Sequence, residues 1–464
     1  VIRARHLTLA CSVVGAAVVA LDGTVLTVAQ PALRRDLDAG LDQVQWASTG
    51  YLVAVASLLV FAGRLGDRYG HRRVFALGTL GFAAASAGIA LAPHIGWVIG
   101  LRVVQGVFGA LLQPATLGML RAAYPPERLA MPIALRTSAI GLAAAAGPVV
   151  GGSLVTAHGW RTVFVLTVIP ALAIGLLALV ERTPRPATPP AAAPTSLDLP
   201  GACLLAVTLA GLVHVLVALP RDGATAPTLL VLGVAALAGT AFARHERRTD
   251  HPLLPAEIVR SRPVMAGLGA LLAVSAALFG TLFAGTYFLQ DVLGLDALHS
   301  ALWSLPLAVL MVLGAPTAAV LQRRFGPRRT AASGGVLLTL GVLSFSRLDA
   351  GATAPGAGVC FVLLGAGFST VMVTATAVVV HRAAEATAGV AGGLQQTALN
   401  IGPALGVALA TLLLTLEPGE AFVPALHRAL LALAALGALG AIAALGLPGR
   451  TARDTEPAAA ASAP

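Results

Sequence analysis

The sequence predicts an all-α integral membrane protein built from about fourteen hydrophobic helices. Three observations predict it. First, only 11% of the 464 residues are charged and 57% are hydrophobic, with a mean hydropathy of +0.86. A water-soluble domain carries roughly 25% charged residues, so most of this surface faces lipid. Second, apolar runs of about twenty residues, the length that crosses a bilayer as a helix, recur along the chain. Third, the arginines between the runs are dense on alternate connections, as the positive-inside rule requires.

The runs fall at 7–31, 44–62, 74–92, 97–120, 133–155, 162–180, 199–219, 228–243, 264–289, 301–321, 330–345, 357–380, 390–416 and 422–447. The first follows a short basic segment, exceeds a signal-peptide core and lacks an A-x-A cleavage site, so it is read as a span. Connections on one side, with both tails, hold 23 arginines against 6 on the other. With an even count of spans, both termini are expected to be cytoplasmic. Trp46, Trp97, Trp160 and Trp303 all fall at the opposite, outer ends, as an interfacial belt does. All thirty basic residues are Arg in an Ala- and Gly-rich chain. That usage reads as a high-GC bacterial genome and points to the bacterial cytoplasmic (inner) membrane. The net charge of +10 is thereby a topology signal, and no nucleic-acid partner is expected. Cys11, Cys203 and Cys360 lie in separate apolar runs without ligand spacing, so no metal site is expected.

Two pieces of sequence recur. Gly70-His71-Arg72-Arg73 follows the second run and Gly326-Pro327-Arg328-Arg329 the tenth, 256 residues on. G-P-x-x-G occurs at Gly147–Gly151 and again at Gly402–Gly406, 255 residues on. Both offsets shift the pattern by eight runs, so two six-span halves with two inserted spans are expected. Repeated halves place a substrate site at their interface. The division expected is a first half at 1–182, a linker and inserted pair at 183–263, a second half at 264–447, and a disordered cytoplasmic tail at 448–464. The Pro/Ala-rich stretch Thr183–Pro200 reads as the linker.

Four motifs stand out. Gly63-Arg64-Leu65-Gly66-Asp67-Arg68-Tyr69-Gly70-His71-Arg72-Arg73 connects the second and third runs. Its glycines permit a tight turn, and Asp67 precedes a helix N-terminus, where an acid is favoured by the dipole and by nearby Arg. In the fourth run Arg102, Gly106, Gly109 and Gln113 share one helical face, and a cation that deep is costly unless it faces protein or water. The fifth run carries Gly141, Gly147, Pro148, Gly151 and Gly152, small residues that let helices approach closely, with a proline that bends the helix. In the first run Asp22 is the one carboxylate well inside a span, which makes it a functional candidate by default, or a buried structural partner of Arg102. Gln30, Gln105, Gln113, Gln290, Gln396 and Asn400 are candidate cavity residues, each equally able to bond a neighbouring helix.

On these motifs the chain resembles the major facilitator superfamily, and within it the fourteen-span drug:proton antiporters. The resemblance covers about residues 7–447. It implies that Gly63, Asp67, Arg68, Gly70, Arg72 and Arg73 form a latch on the cytoplasmic side of the transport path. The second copy keeps Gly326, Arg328 and Arg329 but has Val320 where the acid would stand, implying a weaker latch. R-x-x-Q-G at Arg102 implies proton coupling by that arginine, and the glycines of the fifth run resemble the family's exporter signature, with Ala143–Ala146 filling its middle. In the first run Asp22 matches, while Thr27 and Gln30 depart from the family's Asn and aliphatic residue.

The function expected is a proton-coupled exporter, not an enzyme, of lipophilic or cationic drugs or antibiotics, driven by the proton gradient with no cofactor. No phosphate loop or nucleophile triad is present. The alternatives are export of lipid or siderophore, or a non-transporting membrane protein on the same fold.

Overall fold

The computed structural model describes residues 2–125, 128–180, 198–249, 252–295, 297–382, 387–415 and 422–449. Most of the Thr183–Pro200 linker and nearly all of the expected tail lie outside them.

Among the described residues the chain is helical throughout, in the order α1 (Ile2–Asp36), α2 (Leu41–Tyr69), α3 (His71–Ala90), α4 (Ile95–Ala123), α5 (Ala130–His158), α6 (Arg161–Val180), α7 (Leu199–Asp222), α8 (Ala226–Glu246), a short α9 (Ala256–Arg260), α10 (Arg262–Tyr287), α11 (Ala297–Phe325), α12 (Pro327–Phe345), α13 (Ala354–Arg382), α14 (Ala388–Thr415) and α15 (Phe422–Ala444). A π-turn, Phe288–Val292, ends α10. A helix satisfies every internal backbone polar group by itself, which lipid demands.

Fourteen of these helices have nineteen residues or more, but the fourteen spans expected are not all met. Twelve are long and apolar enough to cross a membrane, and a thirteenth is gained if the two parts of α5 count as one span. Those parts meet at 42° between Ala144 and Val149, a break that contains Pro148, whose missing N–H weakens the helix there. The remaining helix, α12, falls short because Arg328, Arg329, Ser333, Gly334 and Gly335 occupy its first half.

The packing is built twice. α2 and α3 pack on α4 as α11 and α12 pack on α13; α1 packs on α5 as α10 packs on α14; α3 meets α6 as α12 meets α15. Across the two sets, α2 packs on α14 and α5 on α11. The inserted helix α7 touches both α2 and α14, and α8 packs on α7. α2 and α11 end on glycines at positive φ, Gly70 at +93° and Gly326 at +81°. A side chain rarely adopts that backbone, so the recurrent Gly of the two turns is a steric requirement.

Contacts joining the two sets cluster at the Gly70 end. A Cβ on Gly63 would lie 2.0 Å from the Gly389 carbonyl oxygen, so α2 and α14 touch backbone to backbone. Leu117, Leu120 and Ile133 share an apolar cluster with Ala315, Ala319, Val373 and Val380. Ser138 Oγ donates to the Val312 carbonyl at 2.6 Å. The insertion covers this seam: Leu253 and Ile258, both buried, pack with Val60, Val390 and Ala391. Glu246 holds that segment by accepting the Leu253 and Leu254 N–H groups at 2.9 and 3.1 Å.

Candidate functional site

Asp22 of α1 and Arg102 of α4 meet in the interior of the first helix set. Arg102 Nη1 donates to Asp22 Oδ2 at 2.7 Å, and both side chains are 2% exposed. Helical rise brings them level: Asp22 lies fourteen residues before the end of α1 and Arg102 seven after the start of α4, and the long guanidinium stem spans the remaining offset. Two ions in so apolar a place are tolerated only with their remaining hydrogen bonds satisfied. Gln105, one turn on from Arg102, does most of this. Its Nε2 donates to Asp22 Oδ1 at 3.1 Å and to Ser86 Oγ of α3 at 2.8 Å, while its Oε1 accepts from Arg102 Nη1 at 2.6 Å. Arg102 Nε reaches the Ala47 carbonyl of α2 at 3.2 Å, and its guanidinium lies over the Tyr51 ring, 4.3 Å from the centroid. Thr167 of α6 donates to Ser86 Oγ at 3.3 Å. One ion pair thus ties together five of the six helices.

Asp67 makes the second constellation. It lies in the last turn of α2 with its side chain fully buried. Sequence pattern places it before the N-terminus of α3, but its carboxylate serves another helix. Oδ1 accepts the Gly389 N–H at 2.7 Å and Oδ2 the Val390 N–H at 3.1 Å. These are orphan donors of the first turn of α14, where an anion is favoured by unpaired N–H groups and dipole together. His71 Nε2 is 3.3 Å from Asp67 Oδ1. Arg72 donates to the Ala178 carbonyl of α6, Arg68 lies over the Tyr69 ring, and Arg73 is exposed.

The second copy of this turn differs in register from the sequence expectation. Aligning the helix ends at Gly70 and Gly326 puts Arg323, not Val320, at the place of Asp67. An exposed cation therefore stands where the first copy has a buried anion.

The remaining candidates separate. Gln105 belongs to the ion-pair network and is fully buried. Gln113 accepts a short hydrogen bond from Gln396 Nε2, joining α4 to α14 across the seam, and Asn400 donates to the Gln396 carbonyl at 2.8 Å. Gln30 donates to Ser48 Oγ at 3.0 Å, joining α1 to α2. Gln290 lines a cavity at the far end of α10 and α11. Gly147 and Gly151 pack on Thr24 and Val25 of α1, and Gly141 on Met311 of α11, within 3.0 Å of any added Cβ. Gly152 lies partly exposed on the same helix. Arg136, which the sequence motifs do not single out, is 1% exposed inside α5, and its Nε donates to Thr116 Oγ1 at 3.1 Å. The signal that could have found it is a cation standing inside the apolar run 133–155, where charge is costly unless it faces protein or water.

An ion pair inside a bundle of membrane helices, a seam closed at one end and two helix sets of like packing define a membrane transporter rather than an enzyme. A family model described as Major Facilitator Superfamily matches residues 13–407, and the chain belongs to that family. Among its relatives, the tetracenomycin C resistance and export protein of Streptomyces glaucescens is 40% identical over 420 residues, 89% of this chain and 77% of that one. The probable actinorhodin transporter of Streptomyces coelicolor is 34% identical, over 83% of this chain and 69% of that one. The multidrug efflux pump LfrA of Mycolicibacterium smegmatis is 30% identical, over 88% and 80%. The human organic anion transporter MFSD10 shares the fold with a TM-score of 0.67 at 16% identity, covering 95% of this chain and 99% of its own. The proton:xylose symporter XylE shares it at 0.60 and 16%, covering 95% and 94%.

Proposed function

We propose that the protein is a proton-coupled exporter of lipophilic drugs or antibiotics, of the fourteen-span antiporter type, in the bacterial cytoplasmic membrane with both termini cytoplasmic. The observation that carries the coupling is the Asp22–Arg102–Gln105 network, a titratable group buried where only an ion pair sustains its charge. The names of the relatives, resistance and efflux proteins for tetracenomycin C and for multiple drugs, support export as the direction and antibiotics as the cargo.

The cytoplasmic side is the Gly70 end, where the arginines cluster. Contacts between the two sets close the seam at that end, and a conformer closed towards the cytoplasm is the one from which cargo departs outward. A proton arriving from outside neutralises Asp22. The carboxyl then holds α4 through weaker, uncharged hydrogen bonds, while Arg102 keeps the Ala47 carbonyl, Gln105 and the Tyr51 ring. α1 is thereby released relative to α2 and α4, and because α1 packs along α5 and α5 along α11, that release reaches the seam. Opening inward requires α14 to leave Asp67, and the latch sets the cost of that step. The proton gradient is the energy source and no cofactor takes part. Residues 1–182 and 264–447 act as the two halves, with the insertion between them.

The test is substrate-induced proton movement in proteoliposomes. Asp22→Asn, of the same shape but unable to titrate, is expected to abolish coupled efflux while cargo binding persists. Coupling that survives in Asp22→Asn at wild-type expression refutes the mechanism.

A further inference from the structure

One titratable side chain of the latch has no role in the mechanism above. His71 opens α3, and its ring lies in a slot between α2, α4 and α14. A Cβ added at Gly66 of α2 or at Gly118 of α4 would collide with the ring nitrogen Nδ1, and one added at Gly389 of α14 would come within 2.8 Å of Cε1. Glycines on three helices, two of the first set and one of the second, thus leave the room that the imidazole fills. The side chain is only 13% exposed and lies beside Asp67, with Nε2 at 3.3 Å from Oδ1. Its Nδ1 is buried with no hydrogen-bond partner.

Among the described residues Asp67 is the one carboxylate in ion-pair range of the ring. On α2, Arg64 is buried one turn before Asp67, and Arg68 lies over the Tyr69 ring. On α3, Arg72 donates to the Ala178 carbonyl and Arg73 is exposed. On α4, Arg121 stands three residues past Gly118 with its Nε buried. The first turn of α14 presents N–H groups, and Glu385, four residues before Gly389, lies outside the described residues. A neutral imidazole has one donor and one acceptor, whereas a protonated one has two donors. In the closed seam the neutral ring turns Nε2–H towards Asp67 and leaves its acceptor in the slot. Protonation there would bury an N–H with no partner and add a charge to a sealed place. Asp67, already holding two N–H groups of α14, is compensated without it. Withdrawal of α14 reverses this balance. Gly389 no longer closes the slot, Nδ1 reaches water, and Asp67 has lost both donors. The open seam therefore accommodates the protonated ring and the closed seam the neutral one, so by linkage acid favours opening.

We propose that His71 is a positioning residue of the latch: neutral, it lets α14 close over its slot, and protonated from the cytoplasm, it holds Asp67 on the first helix set and keeps the seam open. The inference rests on the inward opening described above, but not on Asp22 or on the cargo. An imidazole changes charge between about pH 5 and 8, so cytoplasmic acidity sets how long the inner end stays open.

The test is the opening of the seam against pH, in the full chain in lipid nanodiscs. Spin labels at Ala122→Cys of α4 and Arg382→Cys of α13, both exposed at the Gly70 end, report the distance across the seam. Cys203→Ser removes the exposed native thiol. Asp22→Asn is present throughout, so that the coupling site does not titrate. From about pH 8 to about pH 5.5, the range in which imidazole titrates, the ratio of long to short distances is expected to rise by roughly three- to tenfold, within the limit of about tenfold per pH unit for one linked proton. His71→Gln and His71→Asn, uncharged at every pH, should each flatten that profile, and Glu385→Gln should leave it in place. Thermal unfolding checks the fold of each variant, and one folded His71 variant decides. A ratio that falls or stays level in acid with His71 present, a profile that persists without His71, or one that Glu385→Gln removes overturns the proposal. Substrate-induced proton movement, measured with Asp22 restored, reports separately on the exporter reading.

Discussion

The first six helices and the last six share one packing plan and differ in what fills it. In the first set the space between α1, α2 and α4 holds an ion pair, a glutamine and a tyrosine, all buried. In the second set Ala273, Ala277, Phe361 and Leu307 line the matching helices, and the core around them is apolar: Phe288, Phe345 and Phe361 stack edge to face at 5.8 and 5.7 Å. The last turn of α2 carries a buried anion that crosses to the other set, whereas the last turn of α11 carries exposed arginines. The difference teaches that a repeated scaffold fixes geometry while single residues divide the work, with buried charge and latch in one half and an apolar core in the other.

Breaking the ion pair should separate the halves most. Arg102→Ala leaves Asp22 buried and unpaired, which costs about 3–5 kcal/mol when one partner of a buried pair is removed. Phe361→Leu at the corresponding place is expected to cost less, about 1 kcal/mol, as a volume-similar apolar swap. Thermal unfolding in detergent measures both, and equal losses would mean the network is not the special feature of the first half.

The latch gives the next effect. Asp67→Asn removes an anion from the first turn of α14, worth up to about 2 kcal/mol in partly buried settings. The variant should remain folded and spend more time open at the Gly70 end, read as faster labelling of a cysteine placed at Leu117. Arg323→Gln, its counterpart, should leave labelling unchanged. A similar acceleration in both would show that charge on the turn, not the cap on α14, closes the seam.

The two turns themselves should respond alike. Gly70→Ala and Gly326→Ala each force a Cβ into positive φ, at about 1–2 kcal/mol. A large disparity in unfolding temperature would break the correspondence between α2 and α11.

The smallest effect lies at the end of the first half away from Gly70. The Asp36 carboxyl is held below its ordinary value by the Trp160 indole N–H and then by the Arg161 guanidinium. A lowered native value means a contribution present at neutral pH and lost as pH falls through the native value. The pair is about half exposed, so Asp36→Asn should cost at most about 1 kcal/mol, and that cost should vanish in acid. A pH-independent loss would assign the effect to packing of Trp160.

Helix positions were legible in the sequence because lipid imposes them, although twelve or thirteen of the fourteen runs, not all, are long and apolar enough to span. Each crossing needs about twenty apolar residues and a closed backbone, and a turn at positive φ needs glycine, so both leave local marks. The deep charges were legible for the same reason: Asp22 and Arg102 are conspicuous where charge is costly. What each polar group touches was decided only by the tertiary structure. Asp67 stands beside α3 in sequence but caps α14, over 300 residues away, because α2 and α14 approach through Gly63 and Gly389. Gln105 serves Asp22, Gln113 meets Gln396 across the seam, and Arg323 takes the register given to Val320. Hydropathy is a property of one segment read against lipid; partners and voids are properties of three or four helices at once, and no single segment records them.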